Sequence, residues 1–329
     1  MKPRNRNLRR FAALATLFFT SLAFPAQHFQ SAIGDPQHWT ATKWSKSDIE
    51  RFGGMPVVLK PDVKHIILRY TYYVSYYDLE HRVPFWVAHI DEKDSDLKAR
   101  SRKGKETRWD RKGDGFSPDP NVQWAAGQAN LRYVTDASYN KANPSDLLET
   151  RDTKITRGHM ASNLEMKSQG SEDDGDQSQS ESFSLANACP QMQSHNNPIW
   201  SKLEDQCMTW ARTKNAVAII SGPIFAPISG QPLPIGKQLE TDGGNDGVKI
   251  SIPTAFFKVI IAVKDGTRTA VGFIVPHRID LFDKTKKDRG LAALIVPIRD
   301  IERATGINFM PALGPNNELE ASKAKDWLF

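Results

Sequence analysis

Residues whose side chains could together do chemistry lie in two stretches in the middle of the chain. Arg157, Gly158 and His159 form the first, and Asn196 and Glu204 stand in the second. An imidazole titrates near neutrality, so His159 can accept a proton from water. An arginine can bind two phosphate oxygens at once, and amide and carboxylate oxygens suit a hard cation such as Mg²⁺. These residue types predict metal-assisted hydrolysis of a phosphate ester.

The spacing of the second stretch predicts how its side chains are presented. Asn196, Trp200 and Glu204 stand at positions i, i+4 and i+8, so a single helix would place all three on one face. A purely structural interpretation stays open for each of them. Asn196 could begin a helix, Trp200 could belong to the core, and Glu204 could be a solvated helix residue.

Taken together, the motifs of the chain resemble those of the DNA/RNA non-specific endonuclease family, the sugar-non-specific nucleases with a ββα-metal core. The resemblance runs from about Tyr70 to about Leu313, and the later segments look most like the endonuclease G branch. The motifs that carry it are Thr156-Arg157-Gly158-His159, Asn187-Ala188-Cys189-Pro190-Gln191, Asn196, Trp200, Leu203-Glu204, Ser221–Phe225, Ile252–Lys258 and Val296–Gly306.

The resemblance implies a role for each candidate site residue. His159 would be the general base, Asn196 would be the ligand of one Mg²⁺, with Mn²⁺ as a substitute, and Glu204 would orient metal-bound waters. Arg157 would stabilise the negative charge of the transition state, and Asn187 would hold the site together by hydrogen bonding. No carboxylate cluster accompanies Asn196 in the sequence, which argues against a two-metal site.

A second arginine is expected from the basic stretch between Lys98 and Lys112. The family places a phosphate-contacting arginine in this region, and Arg111 is the residue we favour for that role. Arg108 and Lys112 compete for the same position, because the register is loose, and a solvated loop is the alternative interpretation.

The chain departs from the family pattern at Thr156, where the family has an aspartate. A threonine hydroxyl can form local hydrogen bonds but brings no charge, so activity is expected to be reduced if the aspartate orders the catalytic turn. This departure supports a rival interpretation, a catalytically weak nucleic-acid-binding protein on the same fold.

The expected fold class is α+β, with a central twisted antiparallel sheet flanked by helices and a ββα-metal motif at the active site. Apolar and β-branched runs predict the strands, and the acidic, apolar-free segment Ser168–Glu181 is expected to be a mobile surface loop. The predicted strands are Ile66–Tyr77, Val83–Ile90, Lys154–His159, Ala216–Ser221, Ala255–Val263 and Thr269–Val275. Predicted helices cover Asn196–Arg212 and the segment between Pro297 and Gly306.

The first residues have the composition of a secretory signal peptide. Basic residues precede the apolar run Phe11–Phe24. A membrane-spanning helix needs about 20 residues, so this run is too short to span a bilayer. Ala23 and Ala26 offer cleavage points for a signal peptidase. The predicted segments are 1–26 signal peptide, 27–63 N-terminal leader, 64–313 nuclease domain and 314–329 C-terminal tail. We therefore expect a periplasmic or secreted protein without stable membrane association after signal removal. An uncleaved membrane anchor is the alternative.

The composition limits what attracts the protein to its partners. Hydrophobic residues make up 39% and charged residues 25% of the chain, values typical of a soluble globular protein. The formal charge of +6 falls to +1 without the five basic residues of the first ten, so binding to DNA and RNA must rely on a local basic patch. The expected partners are DNA and RNA substrates, while a homodimer and an inhibitor protein stay open. The sequence also leaves open whether Cys189 and Cys207 pair.

Overall fold

The structure, a computed structural model, describes residues 43–59, 65–94, 115–119, 122, 134–140, 155–225, 241, 247–278, 281–315, 317–321 and 327. All of them belong to one compact unit, Pro36–Phe329. The predicted signal peptide, 1–26, and the basic stretch with Arg111 lie outside the described residues. Within the described ranges, no helix combines the length and the apolar character that crossing a membrane requires.

In chain order the strands among the described residues are Val57–Val58 (β1), His65–Arg69 (β2), Tyr73–Asp78 (β3), Val83–Glu92 (β4), Ile155–His159 (β5), Ala188–Met192 (β6), Ala216–Ile224 (β7), Ala255–Lys264 (β8), Thr267–Pro276 (β9), Ile295–Val296 (β10) and Ile307–Asn308 (β11). Seven of these strands form the central sheet, in the order β10-β9-β8-β7-β4-β3-β2, and every neighbouring pair is antiparallel. The other four form two short ribbons, β1–β11 and β5–β6.

Helices lie on both faces of this sheet. The α-helices among the described residues are Lys46–Arg51 (α1), Ala137–Asn140 (α2), Asn163–Lys167 (α3), Glu172–Ser182 (α4), Ser201–Lys214 (α5), Ile298–Thr305 (α6) and Glu318–Ala321 (α7). Short 3₁₀ turns span Leu185–Asn187, Leu291–Leu294 and Pro311–Leu313, and a π-type turn spans His195–Trp200. The predicted α+β class with a central antiparallel sheet is confirmed.

Two apolar cores follow from the alternation of side chains along the strands. Phe256 packs with Trp200 and Leu203 on the face that carries α5, whereas the next residue, Phe257, packs with Ile298 of α6 on the other face. Strands β7 and β8 are therefore buried on both sides, which explains their nearly continuous Val and Ile content. The predicted strands Ala216–Ser221, Ala255–Val263 and Thr269–Val275 are confirmed within β7, β8 and β9.

The predicted single strand Ile66–Tyr77 is wrong, because the chain reverses at residues 70–72 to form the β2–β3 hairpin. The reversal carries no Gly, Pro, Asn or Asp as a local signal. A distant residue holds it instead: Glu181 accepts hydrogen bonds from Thr71 N at 2.7 Å and from Thr71 Oγ1 at 2.8 Å.

The acidic segment Ser168–Glu181, predicted to be a mobile loop, mostly forms helix α4. Ser171 begins the helix with a capping box that pairs its side chain and backbone with Asp174. The face turned inward carries small polar residues such as Ser178 and Ser182, both fully buried, rather than apolar ones. An apolar periodicity is therefore absent from this sequence, which is why the prediction failed.

The segments predicted as leader and tail also contribute ordered structure. Residues 43–59 supply α1 and β1, and β1 pairs with β11 near the end of the chain. In the tail, Trp327 is buried against Trp210 of α5, with ring centroids 4.8 Å apart. The predicted segment boundaries themselves stay predictions.

Candidate active site

The β5–β6 ribbon carries Arg157, Gly158 and His159 on one strand and faces Pro190, Cys189 and Ala188 on the other. Lys154–His159 was predicted as an edge strand, and β5 pairs only within this two-stranded ribbon among the described strands. Gly158 is required for the close approach of the two strands. A Cβ added there would lie 1.9 Å from Oε1 of Gln191, whose side chain is fully buried.

The ring of His159 lies between two aromatic side chains. Phe116 approaches it at 4.7 Å and Phe183 at 5.3 Å between ring centroids, the second in an edge-to-face arrangement. The backbone carbonyl of His159 accepts a hydrogen bond from Nε1 of Trp200 at 3.1 Å. These contacts restrict the orientation of an imidazole that stays partly exposed.

Asn187 fixes the backbone that follows His159. Its Oδ1 accepts a hydrogen bond from Ala161 N at 2.9 Å, and its Nδ2 donates to the carbonyls of Ala161 and Ser182 at the same distance. Its own carbonyl accepts from Met160 N. Asn187 is fully buried, so its place in the site is that of a support for the turn.

Arg157 is held by Asp136, which directly precedes helix α2, and by Tyr139 within that helix; no sequence motif predicts either contact. Its guanidinium lies 2.5 Å from Oδ2 of Asp136, donates to the Asp136 carbonyl at 2.7 Å and stands over the ring of Tyr139. Tyr139 in turn donates to the carbonyl of Ala188 on β6. Arg157 is therefore oriented before any anion binds, and Asp136 offsets part of its charge.

Asn196 is joined to the ribbon through the residue that departs from the family pattern. Its Nδ2 donates to Oγ1 of Thr156 at 3.3 Å, and that hydroxyl donates to the carbonyl of Gln191 at 3.1 Å. Among the described residues, no donor reaches Oδ1 of Asn196. The amide oxygen is therefore available to a hard cation, which supports Asn196 as a metal ligand.

The predicted continuous helix Asn196–Arg212 is wrong. Asn197 has extended backbone angles, φ −135° and ψ 115°, and the regular helix α5 begins only at Ser201. The cause is Pro198, since a proline disfavours helical angles in the residue before it. Asn196 therefore does not share one helix face with Glu204, although Trp200 and Glu204 are still one turn apart.

Glu204 is a partly buried carboxyl at the start of α5. Burial and the charge of Glu165 raise its pKa to about 8, and the charge of Lys258 opposes this shift. Without a bound metal ion, this group holds a proton at neutral pH. A divalent ion bound nearby would favour the carboxylate form, which the predicted role in orienting metal-bound waters requires.

A buried polar cluster lies on strand β4 and helix α3, outside the predicted site residues. His89, Asp91 and Glu165 are fully buried, with potential ligand atoms all within 4.8 Å of one another. Burial and the charge of Glu165 raise the pKa of Asp91. A signal existed in the sequence, because His89 and Asp91 alternate along an otherwise apolar strand and so share one face.

The two cysteines are free thiols in this fold. Cys189 lies on β6 and Cys207 on α5, and both are fully buried. Burial raises the pKa of each thiol well above its usual value. The sequence left open whether the two cysteines pair, and in the structure they form no disulfide.

The structure thus brings His159, Arg157, Asn187 and Asn196 together around the β5–β6 ribbon, with Trp200 linking His159 to the start of α5. Arg111 lies outside the described residues, so its predicted phosphate contact stays a prediction.

Comparison with known proteins gives a consistent result. Residues 54–316 match the family model of the DNA/RNA non-specific endonucleases. The chain is 29% identical over 256 residues to the mitochondrial nuclease EXOG of Danio rerio, covering 74% of this chain and 60% of the relative. It is 27% identical over 252 residues to the mitochondrial nuclease 1 of Schizosaccharomyces pombe, covering 74% and 66%. The chain therefore spans only part of the length of these relatives.

A solved structure of the EndoG/EndoGI complex shares the fold. The TM-score is 0.60 at 21% sequence identity, and the match covers 83% of this chain and 94% of that chain. The family match extends over the sheet, the ribbon and α5, which are the elements that hold the candidate site. The chain belongs to the DNA/RNA non-specific endonuclease family.

Proposed function

We propose that this protein is a metal-dependent endonuclease that hydrolyses phosphodiester bonds within DNA and RNA with little sequence preference. The observation that carries the proposal is the joint attachment of the base and the ligand to one strand. Trp200 donates a hydrogen bond to the carbonyl of His159. Asn196 donates one to the hydroxyl of Thr156, which stands three residues before His159 on the same strand. These contacts attach a candidate base and a candidate metal ligand to the same strand, β5.

Each side chain has one task in the proposed reaction. His159 accepts a proton from the attacking water, and the two phenylalanine rings beside it limit its rotation. Asn196 presents its amide oxygen to Mg²⁺, for which Mn²⁺ can substitute, and Glu204 orients waters around the ion. When bound, the ion supplies neutralisation of charge on the scissile phosphate and on the leaving oxygen.

Arginine side chains complete the proposed site. Arg157 binds a phosphate oxygen, which stabilises the extra negative charge of the transition state. Its ion pair with Asp136 holds the guanidinium beside the ribbon. Arg111 is proposed as the second contact, on the strength of its position in the basic stretch alone.

Cleavage of plasmid DNA and of RNA with Mg²⁺, with and without a chelator, tests the activity directly. We expect cleavage that stops with the chelator, and we expect His159→Ala to lower the rate by about two to four decades while the melting temperature stays near that of the parent. Tight DNA binding without cleavage by the parent would favour the rival function, a nucleic-acid-binding protein with weak catalysis.

A metal titration separates the role of Asn196 from that of His159. Asn196→Ala should raise the Mg²⁺ concentration needed for half-maximal cleavage as well as lower the maximum rate, whereas His159→Ala should lower only the rate. An unchanged metal midpoint in Asn196→Ala would assign the residue a structural role at the start of the turn.

We propose in addition that the protein is exported to the periplasm or beyond. The proposal rests on the basic and apolar composition of residues 1–26, and the names of the relatives above place those proteins in mitochondria. Sequencing the N-terminus of the protein from its source should find a start after Ala23 or Ala26. An intact N-terminus at Met1 would exclude cleavage.

A further inference from the structure

The buried cluster of His89, Asp91 and Glu165 is not used by the proposed reaction. His89 and Asp91 project from the same face of β4, and Glu165 projects from α3. The distance from His89 Nε2 to Glu165 Oε2 is 3.1 Å, and the ligand atoms of all three residues lie within 4.8 Å of one another. The cluster therefore has the composition and compactness of a three-ligand cation site.

Each carboxylate in the cluster has one supported oxygen and one without a donor. Gln169 Nε2 donates to Asp91 Oδ1 at 3.1 Å, and Ser162 N donates to Glu165 Oε2 at 3.2 Å. Among the described residues, no donor reaches Asp91 Oδ2 or Glu165 Oε1, although both atoms are buried. A buried oxygen without a partner is costly, so these atoms call for a positive group between them.

Among the described residues, the ammonium of Lys258 acts on both carboxylates but does not fill this need. Lys258 is buried, donates to Ser221 Oγ at 2.8 Å and stands over the ring of Trp200. Within the described part of the chain, its Nζ forms no ion pair with a carboxylate. Its single positive charge faces the carboxylates of Asp91 and Glu165, so a divalent cation would add positive charge where the two buried carboxylates meet.

We propose that His89, Asp91 and Glu165 form a second divalent-cation site, which shares no ligand with Asn196. One imidazole nitrogen and two carboxylate oxygens suit a transition-metal ion such as Mn²⁺ or Zn²⁺ better than Mg²⁺, which prefers oxygen ligands and retains its waters. Because the three residues are fully buried, the ion does not contact substrate.

The position of this site gives it a structural role. Helix α3 begins at Asn163, immediately after the turn that Asn187 fixes behind His159. An ion shared by β4 and α3 would tie this helix to the central sheet and so stabilise the backbone on which His159 stands. Occupancy should therefore raise the melting temperature even where no cleavage is measured.

Metal binding to the full-length protein tests the proposal independently of nuclease activity. Asn196→Ala removes the proposed catalytic ligand and keeps the cluster, so after chelation and reloading with Mn²⁺ it should retain about one ion per chain. Asp91→Asn combined with Glu165→Gln, in the same background, should bind Mn²⁺ at least about 100-fold more weakly and lose the metal-dependent rise in melting temperature. Absence of bound Mn²⁺ from Asn196→Ala would overturn the proposal.

A spectroscopic measurement on the unmutated protein decides the question even if the double variant does not fold. Bound Mn²⁺ should show a ¹⁴N coupling from the His89 imidazole in electron spin echo modulation, since Asn196 offers an oxygen. His89→Gln should remove this coupling. The unmutated protein and Asn196→Ala should show the same ¹⁴N coupling. Mn²⁺ bound without nitrogen coupling would contradict the assignment of His89.

Discussion

The tightest test of the candidate site is the substitution Gly158→Ala. The new Cβ would lie 1.9 Å from Oε1, 2.2 Å from Cδ and 2.6 Å from Cγ of Gln191. Ordinary contact begins near 3.4 Å, so the nearest pair is short by about 1.5 Å. Gln191 is fully buried and its Cγ, not only the tip of the side chain, is in the way. Either the side chain or the strand must move.

The size of the effect follows from that displacement. Gly158 directly precedes His159, and a shift of a reacting group by about 1 Å can cost about 100-fold in rate. Forcing a methyl group into a packed region also costs about 1–3 kcal/mol of folding free energy. We therefore expect Gly158→Ala to lower the rate of DNA cleavage by about two decades and to lower the melting temperature measurably.

A double-mutant cycle separates this clash from any other effect of the methyl group. Gln191→Ala removes the atoms in the way, so the double variant should recover part of the activity and stability that Gly158→Ala loses, with a coupling energy of about 0.5–3 kcal/mol. Gly115→Ala is the matched control, since nothing lies within 4 Å of its added Cβ. Parental activity and melting temperature in Gly158→Ala, or a double variant no better than the single one, would refute the reasoning.

Substitutions at three further residues test contacts around the site and the fold. Thr156→Val removes the acceptor of Asn196 Nδ2 and should raise the Mg²⁺ midpoint of cleavage several-fold, whereas Thr156→Ser should keep it; equal midpoints would dismiss this contact. Asn187→Ala leaves buried backbone groups without partners and should lower the free energy of unfolding, measured in urea, by about 1–3 kcal/mol. An unchanged free energy of unfolding would contradict a hydrogen-bonding role for this side chain. Burial raises the pKa of Glu302 from 4.5 to about 7, so the folded state holds a proton that the unfolded chain releases. Stability should therefore fall as pH rises from 4.5 through about 7. In a plot of melting temperature against pH, Glu302→Gln should flatten this decline. An unchanged slope would exclude Glu302 as the cause of the decline.

Elements of the fold that neighbouring residues determine could be predicted from the sequence, and elements that distant residues hold could not. Strands β7, β8 and β9 were predictable because their apolar runs are long and uninterrupted. The end of α6 was predictable because Gly306, with φ 70°, supplies the left-handed conformation that ends a helix. The hairpin at Thr71 was not, since the carboxylate that holds it comes from Glu181, distant in sequence.

The candidate site shows the same division. His159, Asn187 and Asn196 stand in short motifs, which is why the sequence singled them out; the structure brings them to one ribbon, and their roles stay predictions. The partner of Arg157 could not, because Asp136 has no motif and reaches the arginine only through the fold. The break before α5 has a local cause, because Pro198 disfavours helical angles at Asn197. The helical spacing of Asn196, Trp200 and Glu204 concealed this effect.

Cys189 gives this ribbon an internal probe of its own motion. The thiol lies on β6 directly opposite Gly158, is fully buried, and has a pKa raised by that burial. A thiol-specific reagent can therefore modify it only after the ribbon has opened locally. With Cys207 buried in α5, the modification rates of the two cysteines compare local opening of the β5–β6 ribbon with local opening of that helix. Labelling kinetics would thus measure how often the ribbon opens, without any substitution in the protein.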